Sequence, residues 1–224
     1  LAAGQGKRLL PLTQNIPKCL VSLAGKTILD HAFSSLNIAG VTDITVVTGY
    51  RADKISEKGI VTRHNPAFES TNMVYSLFCA TDEFDDDLII SYSDIIYSPK
   101  ILRQLMDNPA PMSVAIDLNW KQLWDIRMEG ILSDAETLKI SPQGHIYEIG
   151  LNPDSLEEIE GQYMGLLKFN PGGWIKLKNI FNNLLIEEKN SIHMTGILQM
   201  LIELRKVKVK PVPYKREWGE FDSI

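Results

Sequence analysis

Hydrophobic residues occur along this chain with two spacings, and the two kinds of segment alternate. Short runs rich in Val, Ile and Leu, bounded by Gly, Pro, Asn or Asp, predict strands, and apolar residues at every third or fourth position predict helices. The predicted strands span residues 44–48, 59–63, 88–94, 112–117, 161–169 and 207–209. The predicted helices span residues 28–39, 73–80, 99–106, 174–187 and 194–206. This alternation is typical of an α/β protein.

Several residues support the predicted boundaries. Thr27 is a capping residue type directly before the first helix, Gly40 is typical of a helix end, and Pro99 suits a first helical turn. Residues 138–140 and 145–149 flank Pro142-Gln143-Gly144 and predict a hairpin on the sheet. The stretch 120–130 has little periodicity, so no regular element is predicted there.

The fold prediction follows from this order of elements. At 224 residues the chain has the size of one domain with a sizeable core. We expect residues 1–224 to form a single Rossmann-like, three-layer α/β/α domain. Its sheet is expected to be mixed but predominantly parallel and covered on both faces. The acidic residues between positions 82 and 87 predict a solvated connection within it.

A glycine loop at the start of the chain is the first candidate binding site. The end of an apolar strand is followed by two glycines one residue apart and by nearby cations. Glycine lets a backbone approach a ligand closely, and Lys and Arg side chains suit phosphate. The pattern predicts a loop that wraps a triphosphate, and the alternative is an ordinary turn with surface cations. The candidate phosphate-binding residues are Leu1, Ala2, Ala3, Gly4, Gly6, Arg8 and Lys18.

Spacing excludes two better-known phosphate loops. The dinucleotide fingerprint needs a third small residue where this chain has Leu9. The P-loop pattern would end at Gly25-Lys26-Thr27, but its first glycine falls on Leu20. Neither of these loops is therefore predicted.

Carboxylates at two places are candidates for a metal site. Asp94 ends an apolar strand, and ligands of open α/β sheets bind outside the carboxyl ends of strands. Glu220 and Asp222 are two residues apart, so in an extended segment they point to one face. The alternatives are a turn or capping role for Asp94 and, for Asn72, an ordinary helix cap.

Composition narrows the function classes further. A net charge of −5 and a pI near 5.4 argue against a sequence-independent nucleic-acid binder, which needs a basic face. No apolar run reaches the length of a membrane span, and no signal peptide is visible, so we expect a cytoplasmic protein without a membrane partner. Cys19 and Cys79 are too few for a disulfide framework and suit a reducing compartment.

The opening run resembles the signature of the nucleotidylyltransferases that make sugar nucleotides and CDP-alcohols. It matches L-A-A-G-x-G-x-R-L-x-P-L-T followed by P-K-x-L. Further motifs resemble the branch of small phosphocholine and phosphoglutamine cytidylyltransferases, and the resemblance covers nearly the whole chain. These motifs are residues 65–66, 70–77, 91–94, 134–138, 161–166, 194–195 and 218–222. Family members usually have a few more apolar residues before Leu1, so we expect the start to be trimmed.

The resemblance implies a role for each candidate residue. The glycine loop, Arg8 and Lys18 would hold the phosphates of CTP, with Arg8 and Lys18 acting in catalysis. Asp94 and Asp222, with Glu220 as the alternative, would hold Mg²⁺, while Asn72 and Ser93 would contact the nucleotide. It also implies a nucleotide-binding half at about 1–117 and an acceptor-binding half at about 118–224, and it leaves a homodimer open.

The implied reaction joins CTP to a small phosphorylated or phosphonate acceptor and releases pyrophosphate. A sugar-1-phosphate nucleotidylyltransferase using UTP or dTTP is the alternative within the class, because the glycine loop does not read the base. A regulatory nucleotide-binding domain without turnover is the alternative from another class. The metal carboxylates argue against it, since a sensor could lose them.

The acceptor is expected to carry a cationic or amino group held by Trp124 and Asp117. Both lie in a segment with two tryptophans that follows a strand, in the half that the family devotes to its acceptor. An aromatic face beside a carboxylate suits an ammonium group. The alternative is that Trp124 is part of the core. Glu136 and Lys139 alternate with buried neighbours and are predicted to lie on the surface.

Overall fold

The computed structural model describes residues 1–81, 84, 86–127, 132, 135–215 and 218–222. The strands are β1 (Ser22–Leu23), β2 (Lys26–Thr27), β3 (Val46–Thr48), β4 (Thr62–His64), β5 (Leu88–Ser91), β6 (Ile95–Tyr97), β7 (Met112–Asp117), β8 (Leu138–Ile140), β9 (Ile146–Ile149), β10 (Gln162–Phe169), β11 (Val209–Tyr214) and β12 (Trp218–Glu220). The helices are α1 (Ile28–Ala39), α2 (Ala52–Ser56), α3 (Met73–Phe78), α4 (Pro99–Met106), α5 (Trp120–Arg127), α6 (Pro171–Asn183), α7 (Ile186–Ser191) and α8 (Met194–Glu203).

A six-stranded sheet in the order β5-β10-β7-β11-β9-β8 forms the centre of the fold. β7 and β11 pair in parallel, whereas β10 is antiparallel to both β5 and β7, and β9 is antiparallel to both β11 and β8. The α/β class and the mixed sheet are therefore confirmed. β5, β7 and β11 run in one direction, but four of the five neighbouring pairs are antiparallel, because β10 lies between β5 and β7 and β9 lies between β11 and β8.

The sequence of β10 does not reveal where this strand lies in the sheet. Seven of its eight residues are buried, a pattern that suits a central strand in either direction. Nothing in such a run of residues identifies its neighbours or their direction.

Helices cover both faces of the sheet. Val114 and Ile116 of β7 belong to a core cluster with residues of α3, α6 and α8, whereas Ala115 belongs to a cluster with residues of α1 and α4. Successive strand residues point to opposite faces, so this split marks two apolar layers. The three-layer α/β/α arrangement follows.

Several predicted boundaries agree with the structure. α4 and β7 have the predicted limits, and β8 and β9 form the predicted hairpin. Thr27 caps α1, since the backbone N–H of Asp30 donates to its Oγ1 at 3.1 Å, and Gly40 ends that helix in the left-handed region with φ of 96°. Within the described residues, no helix has the length and apolar character needed to cross a bilayer.

The stretch with little periodicity contains a helix, which the sequence did not predict. Trp120 and Trp124 are four residues apart, so they share one face of α5, and both are buried. Two tryptophans are too few to establish a helical spacing of apolar residues, so the pattern did not predict α5. Residues 128–130 of the stretch lie outside the described residues.

The last predicted helices and strand also differ in extent. The predicted helix 174–187 is two helices, because α6 begins at Pro171 after the cap Asn170 and ends at Asn183, and α7 follows. Of the predicted strand 207–209 only Val209 belongs to β11, which continues through Pro211 and Pro213. Proline has no N–H to donate to a neighbouring strand, so Pro211 and Pro213 argue against predicting a strand at these positions. The structure accommodates them because β11 pairs with β9 only at Val209.

The acidic connection is partly an ion-pair site. The ammonium of Lys168, a buried residue of β10, donates to Asp87 Oδ2 at 2.9 Å and to the carbonyl of Asn108 at 2.7 Å. Asp87 therefore neutralises a buried cation and is not merely solvated. Asp82, Glu83 and Asp85 of the predicted connection lie outside the described residues.

Candidate active site

The glycine loop begins between strands β3 and β5. The backbone nitrogen of Ala2 donates to the carbonyl of Val47 in β3 at 2.8 Å, and the nitrogen of Leu1 donates to the carbonyl of Ser91 at the end of β5 at 2.6 Å. The carbonyl of Ala3 accepts from the nitrogen of Tyr50 at 2.9 Å. The loop therefore starts at the carboxyl ends of β3 and β5, where the sequence predicts a ligand site.

Gly6 has a conformation and a packing environment that favour glycine. Its φ is 75°, in the left-handed region, and a Cβ there would lie 2.8 Å from Cβ of Lys18. Its carbonyl accepts a hydrogen bond from Oγ1 of the fully buried Thr13 at 2.9 Å. Gly6 thus lets Lys18 pack directly against the loop, and Thr13 fixes that contact.

Replacing Gly6 with Ala should therefore destabilise the protein by more than conformational strain alone. Left-handed backbone costs about 1–2 kcal/mol for an L-residue, and the contact with Lys18 adds to this. Gly59→Ala is the matched control, because Gly59 has φ of 70° but open space around it. Urea unfolding of the two variants should show the larger loss of unfolding free energy for Gly6→Ala. Equal losses would show that Lys18 does not restrict this position.

Lys18 joins the loop to the candidate metal carboxylates. It is buried, and its ammonium donates to Asp94 Oδ2 at 2.8 Å and to Asp222 Oδ1 at 2.9 Å. The guanidinium of Arg8 contacts the other oxygen of Asp222. The structure therefore brings together four side chains that are predicted site residues: Arg8, Lys18, Asp94 and Asp222.

The charge of Lys18 depends on these partners. Burial by itself lowers the pKa of a lysine, but the charge of Asp94 and the hydrogen bonds to Asp94 and Asp222 outweigh it, so the pKa is raised above its ordinary value of 10.5. The stability that the pairing contributes is fully present below this ordinary value and is lost only as pH rises through the raised pKa. Lys18 is consequently a cation throughout the neutral range.

Strand pairing brings the C-terminal carboxylates to Asp94. β12 pairs antiparallel with β6, with Glu220 opposite Ile95, and the backbone nitrogen of Phe221 donates to the Asp94 carbonyl at 2.8 Å. As a result, carboxylate oxygens of Asp94, Glu220 and Asp222 lie within 4.8 Å of one another. The pairing thus brings Asp94 close to two carboxylates that lie more than a hundred positions later in the chain.

This donor set fits a divalent cation. Hard cations prefer carboxylate oxygens, and Oδ1 of Asp94 is buried without a hydrogen-bond partner among the described residues. A buried acceptor without a donor is costly, and a metal ion would satisfy it.

Asp117 and Trp124 lie near each other but are enclosed by protein. Asp117 is 3% exposed, and its carboxylate accepts from the backbone nitrogen of Asn119 at 2.7 Å and from Nε1 of Trp218 at 2.8 Å. Trp124 is 5% exposed and packs in a cluster with Trp120, against which Trp218 also rests. These contacts favour the core alternative for Trp124, and the acceptor role of both residues stays a prediction.

The Trp124→Ala variant should accordingly lose about 3–5 kcal/mol of unfolding free energy, the range found for buried aromatics. Chemical denaturation measures the loss, and Trp124→Phe should recover part of it because the ring still fills the cluster. A variant that keeps its stability and changes only the acceptor KM would instead support the binding role.

Asn72 and Ser93 occupy different environments. Asn72 caps α3, since its Oδ1 accepts from the backbone nitrogen of Met73 at 2.8 Å, while its Nδ2 donates to the Ser191 carbonyl at 3.1 Å. The helix-cap alternative is therefore confirmed. Ser93 immediately precedes Asp94 after the end of β5. Contact of either residue with the nucleotide stays a prediction.

A known protein family matches the part of the chain that contains most of these site residues. Residues 1–123 match the model of the MobA-like NTP transferase domain. The chain belongs to this family. It is therefore a nucleotidyltransferase, and the match contains the glycine loop, Lys18 and Asp94.

Two curated relatives and a solved structure add to this match, and one relative and the structure cover almost the whole chain. The chain is 36% identical over 243 aligned residues to the CTP:phosphoglutamine cytidylyltransferase of Campylobacter jejuni, with 100% of this chain and 94% of the relative covered. It is 32% identical over 101 residues to the choline-phosphate cytidylyltransferase of Streptococcus pneumoniae, covering 43% of this chain and 44% of that protein. The inositol-1-phosphate CTP transferase of T. maritima shares the fold, with a TM-score of 0.78, 20% identity and coverage of 99% of this chain and 87% of that one.

Proposed function

We propose that this nucleotidyltransferase transfers the cytidylyl group of CTP to a small phosphorylated or phosphonate acceptor. The observation that carries the proposal is the convergence of Lys18, Arg8 and Asp94 with Asp222 beside a glycine loop. The full-length similarity to a cytidylyltransferase supports the choice of CTP. Phosphoglutamine-like, phosphocholine-like and aminophosphonate acceptors are the candidates, given the substrates in the relatives' names.

The chemistry requires positioning and charge neutralisation. A phosphate or phosphonate oxygen of the acceptor attacks the α-phosphorus of CTP, a new P–O bond forms, and the bond to the β-phosphate breaks to release pyrophosphate. The attacking oxygen is already an anion, so no base or protein nucleophile is needed. Binding in line and stabilising the charge on the phosphates therefore account for catalysis.

We assign the positioning to this chain's own residues. The nitrogens of Leu1 and Ala2 already donate to the Ser91 and Val47 carbonyls, so the backbone N–H groups from Ala3 to Gly6 would bind the phosphates. Arg8 and Lys18 would oppose the negative charge that builds on them. Asp94 and Asp222, with Glu220 as the alternative, would hold Mg²⁺. When bound, that ion would neutralise phosphate charge and orient the two reacting groups. The nucleotide half is about 1–117 and the acceptor half about 118–224, within one domain.

A pyrophosphate-release assay over four nucleotides and a panel of acceptors tests the proposal. The panel contains phosphocholine, phosphoethanolamine, 2-aminoethylphosphonate, phosphoglutamine and sugar 1-phosphates. We expect release with CTP and at least one non-sugar acceptor in the presence of Mg²⁺. A preference for UTP or dTTP with sugar 1-phosphates would establish the sugar-nucleotide alternative, and no release with any pair would favour a regulatory domain.

A further inference from the structure

Tyr50 contacts both ends of the glycine loop. It is a half-buried residue in the turn 49–51, which follows β3. Its backbone N–H donates to the Ala3 carbonyl at 2.9 Å, and its phenolic hydroxyl donates to the Gln14 carbonyl. Residues 4–13 of the loop lie between these two carbonyls. One residue outside the loop therefore holds both the beginning and the end of this segment.

The turn that carries Tyr50 packs closely against the start of the loop. A Cβ on Gly49 would lie 2.6 Å from the Ala3 carbonyl oxygen and 2.5 Å from Cβ of Phe68, so no side chain fits there. Arg51 has a φ of 47°, a left-handed conformation that is uncommon for a residue other than glycine. Such a conformation persists where the surrounding structure holds it in place. The position of Tyr50 is therefore set by a tightly packed turn outside the loop.

Short-range hydrogen bonds shape the loop between its two ends. The backbone nitrogen of Leu9 donates to the Gly6 carbonyl at 3.0 Å, and that of Gln14 donates to the Pro11 carbonyl at 3.1 Å. Each bond joins residues three positions apart, so it forms a turn without fixing that turn relative to the sheet. A Cβ on Gly4 would contact nothing within 4 Å, so open space lies beside this residue. The direction of the loop's N–H groups therefore depends on the anchors that tie the loop to the rest of the protein.

The two contacts of Tyr50 suit a loop that binds an anion. Tyr50 is the donor in both, so it uses carbonyl groups and leaves the backbone N–H groups from Ala3 to Gly6 for phosphate oxygens. Several N–H groups bind one anion only if they converge on it, and ordering a segment at the moment of binding costs free energy. A loop that Tyr50 holds at its ends and Lys18 holds at Gly6 avoids part of this cost.

We propose that Tyr50 is a positioning residue that clamps the glycine loop in the shape that binds the triphosphate of the nucleotide. This inference rests on the proposed function, which assigns the phosphates to that loop. The competing explanation is that Tyr50 only stabilises the fold, which predicts a lower melting temperature and unchanged affinity for nucleotide. The clamp predicts the reverse, because the phenol bond to Gln14 lies at the surface, where water competes for it, and contributes little to global stability.

The Tyr50→Phe variant tests the clamp, because it keeps the ring and removes only the hydroxyl. Isothermal titration with CTP and Mg²⁺, in the absence of acceptor, measures affinity without turnover. One hydrogen bond that orders the loop corresponds to a factor of about 2 to 10, so we expect the Kd for CTP to rise by that factor. Inorganic tripolyphosphate, which has no base or ribose, should lose affinity by a similar factor. Unchanged Kd values in the folded variant would overturn the inference.

Hydrogen exchange tests whether the loop is the part that changes. In the free proteins, the backbone amides of residues 4–13 should exchange faster in Tyr50→Phe than in the wild type. Saturating CTP should reduce this difference, because bound phosphates hold the same N–H groups. Equal exchange of this segment in the two free proteins would contradict the clamp.

The Tyr147→Phe variant is the matched control. Tyr147 lies in β9 and is 50% exposed, so loss of its hydroxyl should leave both the Kd for CTP and the exchange of the loop at wild-type values. Wild-type affinity in Tyr50→Phe would overturn the clamp alone, whereas absence of pyrophosphate release from the wild-type enzyme with every pair of substrates would overturn the proposed function. A wild-type protein that binds neither CTP nor tripolyphosphate would overturn both.

Discussion

Replacing Asp94 with Asn should nearly abolish turnover, a loss of at least about 10³-fold in kcat. The reason lies in how the two oxygens of Asp94 are used. Oδ2 accepts from Lys18, and Oδ1 is buried without a donor among the described residues. An asparagine would keep its amide oxygen toward Lys18 and turn its NH₂ group to the place of Oδ1. A donor would then face the position proposed for Mg²⁺. The charge stabilisation supplied by a metal is worth several kcal/mol, and each 1.36 kcal/mol is a factor of ten in rate.

The measurement is kcat as a function of Mg²⁺ concentration, together with the melting temperature. Asp107→Asn is the matched control, because Asp107 is an exposed aspartate at the end of α4 and should give wild-type kinetics. Chelation by EDTA should stop the wild-type reaction, and added Mg²⁺ or Mn²⁺ should restore it. Full activity in EDTA would show that the metal part of the mechanism is wrong.

Local sequence patterns predicted much of this fold because they report local physics. The capping box at Thr27, the Pro99 start of α4 and the turn of the β8–β9 hairpin each depend on a few neighbouring residues. The glycine loop is local in the same sense. For this reason the nucleotide-binding start of the site could be predicted from its residues and from the resemblance that they carry.

Long-range pairing accounts for most of what sequence reasoning missed. The position of β10 between β5 and β7 and the pairing of β12 with β6 join segments far apart in the chain. Glu136, which is predicted to lie on the surface, shows the consequence, because it is half-buried and its Oε1 accepts from Oγ1 of Thr195 at 3.1 Å. Its alternation with buried neighbours indicates which way it points relative to β8, but α8 and β10 decide what it meets. No signal in the local pattern distinguishes such a residue from a solvated one.

Asp117 and Trp124 have packing contacts that their local sequence does not reveal. The sequence placed them at the acceptor because an acid and two aromatics follow a strand. In the structure, Asp117 accepts a hydrogen bond from Trp218, the first residue of β12, and Trp124 belongs to the cluster on which Trp218 rests. These residues therefore support the strand that carries Glu220 toward Asp94. Their observed connection to the site is through packing, and contact with the acceptor stays a prediction.

Removing the charge of Lys18 should lower kcat/KM by roughly 10²-fold or more, because a cation facing the transferring phosphates is lost. Lys18→Met is preferable to Lys18→Ala, since methionine keeps the aliphatic stem that packs on Gly6. Arg8→Ala should have a comparable effect through the same phosphates. Lys26→Met is the control, because Lys26 is an exposed lysine close in sequence and should behave as wild type.

Two roles of Lys18 can be separated in the same experiment. Its ammonium neutralises Asp94 and Asp222, and the proposed mechanism also has it oppose phosphate charge. In Lys18→Met the two carboxylates lose their shared cation, so the melting temperature should fall, and Mg²⁺ should raise it by more than in the wild type. If neutralising the carboxylates were the whole role, saturating Mg²⁺ would restore turnover along with stability. We expect stability to recover and turnover to remain low, because the metal does not replace the missing contact with phosphate. Wild-type kinetics in the folded variant would remove Lys18 from the phosphate site altogether.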